Sequence, residues 1–111
     1  MSLKSPPEGV VDRAFATARR GGPPVARLPK NPKAICAEFY YFAGPKSGTK
    51  IFMDFIGPSG TRIIHLKRDF GIPIAQCLAR STRFIKFASG VWRIVLTAAG
   101  KPVKTVRVRV G

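Results

Sequence analysis

A chain of 111 residues is long enough for one hydrophobic core and too short for two. Hydrophobic residues make up 45% of it, with eight Phe, two Tyr and one Trp, so disorder of the whole chain is excluded. Twenty Lys and Arg against five Asp and Glu give a formal charge of +15, which constrains partners rather than fold.

Residues 1–33 carry seven bases, two acids and six of the ten prolines, with Gly21-Gly22-Pro23-Pro24 and Lys30-Asn31-Pro32-Lys33 among them. Such a composition does not propagate regular structure and reads as a basic arm. Within it, Ser5-Pro6-Pro7-Glu8 has the form of a helix N-cap with Glu at N3, followed by Val10, Val11, Ala14, Phe15 and Ala18 at helical spacing. One short helix over about 7–20 is predicted, ending at Arg19-Arg20 and Gly21-Gly22.

From Ala34 onward, short runs of β-branched and aromatic residues alternate with Gly, Pro and Ser, as in an all-β sandwich or barrel. Residues 34–111 are therefore read as one β domain, with predicted strands at 34–42, 50–56, 61–66, 82–88, 90–97 and 103–110. Gly57-Pro58-Ser59-Gly60 and Ala98-Ala99-Gly100-Lys101 mark two hairpin turns. The stretch 67–81 fits a half-buried loop, a short helix or another strand. In the last strand Val106, Val108 and Val110 alternate with Thr105, Arg107 and Arg109, so one face is apolar and the other wet. Its partner places Trp92, Ile94 and Leu96 on one face and Arg93 on the other, beside Arg107 or Arg109.

Gly90-Val91-Trp92-Arg93-Ile94-Val95-Leu96, the Gly100-Lys101 turn and the final strand resemble the closing hairpin of small bacterial immunoglobulin-like domains. Phe55-Ile56-Gly57-Pro58-Ser59-Gly60 is similar to an earlier hairpin of such modules. The resemblance covers residues 34–111 and implies an antiparallel β-sandwich serving as a structural or interaction module, with an SH3-like or oligonucleotide-binding barrel as alternatives. It departs from the antibody pattern, because Trp92 lies in the penultimate strand and Cys36 and Cys77 do not reproduce that inter-sheet disulfide framework. The two cysteines read first as reduced, buried small hydrophobes, with one disulfide as the alternative.

Little in the chain points to chemistry. His65 is the only histidine, with Asp54 and Asp69 as its acidic neighbours, and reads as a surface or satisfied residue rather than a proton-transfer group. Lys46-Ser47-Gly48-Thr49-Lys50 fails the phosphate-loop spacing and reads as an exposed turn. No cofactor or metal is expected, and an enzyme is the class with least support.

The bases carry the functional reading. Arg62, Lys67 and Arg68 surround one hairpin, Arg83 and Lys86 lie near the fourth predicted strand, and Arg93, Lys104, Arg107 and Arg109 lie on the last two. The aromatics interleaved with them, Tyr40, Phe42, Phe52 and Phe84, would stack on bases if they faced outward. The first expectation is a non-enzymatic module that docks its basic sheet face and N-terminal arm onto another protein or assembly. Nucleic-acid binding through phosphate contacts is the alternative, and adhesion to anionic lipid or polysaccharide a third. No stretch approaches the roughly 20 apolar residues of a membrane span, and no signal-peptide core is visible, so the chain is expected to be soluble with its compartment open.

Overall fold

The computed structural model describes residues 6–81 and 86–111. In chain order the strands are β1 (Val10–Thr17), β2 (Pro24–Val25), β3 (Arg27–Leu28), β4 (Ala34–Ala43), β5 (Ile51–Ile56), β6 (Arg62–Arg68), β7 (Ile74–Ala79), β8 (Gly90–Ala98) and β9 (Lys101–Val110). They form two sheets, a four-stranded one ordered β2-β1-β4-β7 and a five-stranded one ordered β3-β9-β8-β5-β6. All pairings are antiparallel except the short parallel contact of β3 with β9. Among the described residues no helix is long and apolar enough to cross a membrane.

The core lies between the sheets and follows the period-two pattern of the strands. Phe39, Ile35 and Ile74 from the four-stranded sheet meet Met53, Phe55, Trp92, Ile94 and Val108 from the five-stranded one, all at 2% exposure or less. Trp92 is anchored as well as buried: its indole Nε1 donates to the Ala88 carbonyl at 2.8 Å, and its ring meets Phe87 edge-on at 5.3 Å. Burying an indole without a partner for its N–H would leave an unmet donor, so this bond is what lets the ring fill the centre.

The predicted helix over 7–20 is instead strand β1. Pro6 to Gly9 form a turn, with the Gly9 N–H donating to the Pro6 carbonyl at 2.9 Å and Gly9 at φ +76°, so the segment enters as a strand and not through a helix cap. Register shifts near Val11 then set Val11, Ala14 and Ala16 against the core while β2 and β4 pair with both edges of β1. Apolar residues at 10, 11, 14, 15 and 18 fit a helix on spacing alone, but tertiary pairing overrides that periodicity. The same finding corrects the arm: residues 10–28 supply β1, β2 and β3, and Leu28 is 2% exposed in the common core.

The undecided stretch contains β7, which pairs with β4 so that Cys36 stands opposite Cys77. The two are joined as a disulfide with a Cα–Cα distance of 4.0 Å, correcting the expectation of reduced thiols. A separation of 41 residues says nothing about register; adjacency across one strand pair does. Of the predicted strand 82–88, residues 82–85 lie outside the described residues, and residues 86–88 are not strand. Both hairpins form as expected, the first closed by the Gly60 N–H to the Gly57 carbonyl at 2.9 Å. The second turns on Ala99 and Gly100, at φ +54° and +76°.

Candidate basic sheet face

Strand alternation that buries Val106, Val108 and Val110 must place Arg107 and Arg109 on the outer face of the five-stranded sheet. The register then extends this face across the other strands. Arg107 stands opposite Arg93 on β8, which stands opposite Ile56 on β5, which in turn faces Arg62 on β6. Arg109 stands opposite Val91 on one side and Arg27 of β3 on the other. Lys67, opposite Phe52, completes the face at its β6 edge.

Neighbouring strands lie about 4.8 Å apart and alternate residues of one strand about 7 Å apart, so these guanidinium groups form a two-row lattice. Among the described strand residues of this sheet Asp54 is the only acid, and it is already engaged. Its carboxylate takes His65 Nδ1 and lies 3.9 Å from Arg62. The His65 ring is stacked on Phe52, with centroids 4.4 Å apart and planes 12° from parallel. The expectation that His65 is a satisfied surface residue accords with this: a carboxylate fixes one ring nitrogen and an aromatic covers one ring face.

The opposite outer face is different in kind. On the four-stranded sheet, Arg13 lies over the rings of Phe15 and Tyr40 at 5.0 and 5.2 Å, and the Tyr40 hydroxyl donates to Glu38 at 3.0 Å. That hydrogen bond to Glu38, aided by desolvation, raises the Tyr40 pKa above its ordinary value. Aromatic contacts surround this guanidinium, and strands β1 and β4 carry two acids, Asp12 and Glu38. Among the described residues, six of the ten Lys and Arg borne by strands, Arg27, Arg62, Lys67, Arg93, Arg107 and Arg109, thus share one sheet face.

Of the residues singled out from sequence, Arg62, Lys67, Arg93, Arg107 and Arg109 come together on this face. Arg68 does not, because it is one residue past Lys67 and turns towards β7, where its Nη2 donates to the Ala75 carbonyl at 3.2 Å. Lys104 has the parity of the inner face, opposite Leu96, yet is exposed at the end of the sandwich. Lys86 is exposed on the connection before β8, and Arg83 lies outside the described residues. Sequence reasoning missed Arg27, since a two-residue strand gives no periodicity to read.

The aromatics divide in the same way. Phe52 is on the basic face, stacked on His65. Tyr40 is on the other sheet, Phe42 projects there at 77% exposure, and Phe84 lies outside the described residues.

No protein-family model and no curated protein sequence matches this chain. Its structure is similar to that of an immunoglobulin-like protein from Pseudomonas aeruginosa, with a TM-score of 0.62 at 9% identity, over 92% of this chain and 95% of that one. It is also similar to part of the alkylpurine DNA glycosylase AlkC of Pseudomonas fluorescens, in a structure bound to DNA containing an abasic site analogue. There the TM-score is 0.57 at 12% identity, and 98% of this chain spans 31% of the glycosylase. Identities this low carry the fold alone: the chain is an all-β, immunoglobulin-like sandwich.

Proposed function

We propose that this chain is a non-enzymatic binding module that holds a nucleic-acid backbone on the outer face of its five-stranded sheet. One observation carries the reading: Arg93 and Arg107 stand opposite each other, with Arg27, Arg62, Lys67 and Arg109 on the same face and Asp54 the only acid among the described strand residues of that sheet. Adjacent like charges are unfavourable in an isolated sheet, and a polyanion laid across them relieves the repulsion while releasing its own counterions. The structural likeness to part of a glycosylase solved with DNA is consistent with this use of the fold.

Contacts of this type read backbone charge and not base sequence, so the expected behaviour is broad specificity with strong salt dependence. The test is titration of mixed-sequence DNA, RNA and heparin between about 50 and 200 mM salt, repeated with Arg93→Ala/Arg107→Ala. The double variant should weaken nucleic-acid binding and flatten the log–log salt slope by about 2, near one for each lost phosphate contact. Unchanged affinity and slope in that variant would overturn the assignment of this face.

A protein partner is the second reading, favoured by a different part of the molecule. Val10, Phe42, Phe70 and Ile72 are exposed, and the Val10–Ala43 pairing and the Tyr41–Phe70 ring contact place Val10, Phe42 and Phe70 at one end of the four-stranded sheet, with Ile72 two residues beyond Phe70. If Phe42→Ser abolishes capture of a partner while Arg93→Ala/Arg107→Ala does not, this reading takes precedence.

A further inference from the structure

The two sheets leave a seam where β6, the edge of one, passes β7, the edge of the other. A recess of about 310 Å³ opens there, lined by Arg20, Arg68, Ala75, Gln76 and Cys77. It lies off the basic face, because Arg68 turns across the seam where Lys67 turns outward.

The chemistry of this recess is one-sided. Two guanidinium groups line it and no carboxylate does. Glu38 lines the adjoining groove, which shares Arg20, Ala75, Gln76 and Cys77 with the recess; it accepts the Tyr40 hydroxyl and has no ion pair with either arginine. The Arg68 Nε–H is buried and has no hydrogen-bond partner, in a setting where buried donors are nearly always satisfied. Arg68 is also held in place by its bond to the Ala75 carbonyl.

The floor is equally fixed. Gln76 donates its side-chain amide to the Cys77 carbonyl, and the disulfide ties Cys77 to Cys36 on β4. The carbonyls of Ala75 and Cys77 are thereby occupied by side chains, so β7 does not offer them to an incoming strand. Strand addition is disfavoured at the one place where a sheet edge meets the two arginines.

We propose that this recess is a binding site for a tetrahedral oxyanion of the phosphate class, held between Arg68 and Arg20. Guanidinium forks match such oxygens in geometry as well as charge, and the recess exceeds the roughly 30 Å³ share of a single water many times over. The site is independent of the nucleic-acid face, sharing none of the residues that carry that reading.

The test is thermal unfolding of the full chain in inorganic phosphate, in sulfate and in chloride, at matched ionic strength. For a dissociation constant of about 1 mM, 20 mM phosphate should raise the midpoint by roughly 7 °C over chloride, with sulfate acting similarly. Arg20→Ala, on an exposed turn, should remove most of that difference without lowering the midpoint in chloride. Arg68→Lys keeps the charge, loses the fork, and should reduce the difference at least by half.

Compared in the Arg93→Ala/Arg107→Ala background, which weakens the nucleic-acid face, a 5′-phosphorylated hexanucleotide and its unphosphorylated form distinguish a terminal phosphate from the free ion. A terminal-phosphate ligand makes the phosphorylated form the better stabiliser, and Arg20→Ala removes that advantage. Equal midpoints in phosphate and chloride, or an unaltered phosphate response in both variants, would overturn the site. Loss of DNA binding in the Arg93/Arg107 variant with the phosphate response intact would leave it standing.

Discussion

Arg93 on β8 and Arg107 on β9 stand directly opposite each other across one antiparallel pair, on the outer face of the five-stranded sheet. Two like charges in that relationship oppose folding by a few tenths of a kcal/mol in water. Arg107→Thr should therefore stabilise the free domain by about 0.5 kcal/mol, since Thr also suits an exposed strand position. The same change should weaken nucleic-acid binding severalfold at low salt. Urea unfolding and a binding titration on one variant check both signs together, and a loss of stability would show that something other than repulsion governs the pair.

The Cys36–Cys77 disulfide closes a loop of about 40 residues across neighbouring strands of one sheet. In the chain-entropy picture a loop of that size contributes about 4 kcal/mol. Cys36→Ala/Cys77→Ala should lower unfolding stability by about 2–4 kcal/mol, measured by denaturant titration. Reduction of the native chain should cause a similar fall, while the double variant should be indifferent to reductant.

Tyr41 is buried against the core, and its hydroxyl has no hydrogen-bond partner. Tyr41→Phe keeps the edge-on ring contact with Phe70 and removes an unsatisfied polar atom. It should leave stability unchanged or raise it by about 1 kcal/mol at neutral pH.

Burial also raises the Tyr41 pKa above its ordinary value. The folded state then holds the proton more tightly than the unfolded one, so this contribution is fully present below the unfolded-state pKa of about 10. It is lost as pH rises from there through the higher folded-state value. Stability profiles of the native chain and Tyr41→Phe from pH 8 to 11 should therefore diverge only at the alkaline end, with the native chain falling faster.

Ala99 sits at φ +54° in the β8–β9 turn, followed by Gly100 at φ +76°. Both central positions of a two-residue hairpin turn of this hand require positive φ, which Asn tolerates better than Ala. Ala99→Asn should raise stability by about 1 kcal/mol, seen as a higher thermal midpoint with an unchanged circular dichroism spectrum. A neutral result would mean that the strain is relieved elsewhere in the hairpin.

Much of the sandwich was legible because its signals are local. The alternation from Val106 to Val110, the run around Trp92 and the two Gly-bearing turns each specify structure within about ten residues of chain. The outward direction of Arg93, Arg107 and Arg109 follows from the same alternation, and so their meeting on one face was readable in advance. The +15 charge constrained partners without naming one.

What the tertiary structure decided were the pairings between distant segments. Val10 to Thr17 carries a spacing compatible with helix and strand alike, and only the flanking β2 and β4 select the strand. Cys36 and Cys77 become partners because β7 lies beside β4 in one particular register, a relation with no trace in a 41-residue interval. Arg27 joins that sheet face through a two-residue contact with β9, and Arg20 and Arg68, 48 residues apart in the chain, line one recess only in the folded chain. Side-chain periodicity is written into the chain by local stereochemistry, whereas sheet order and register are chosen by which apolar faces close a common core.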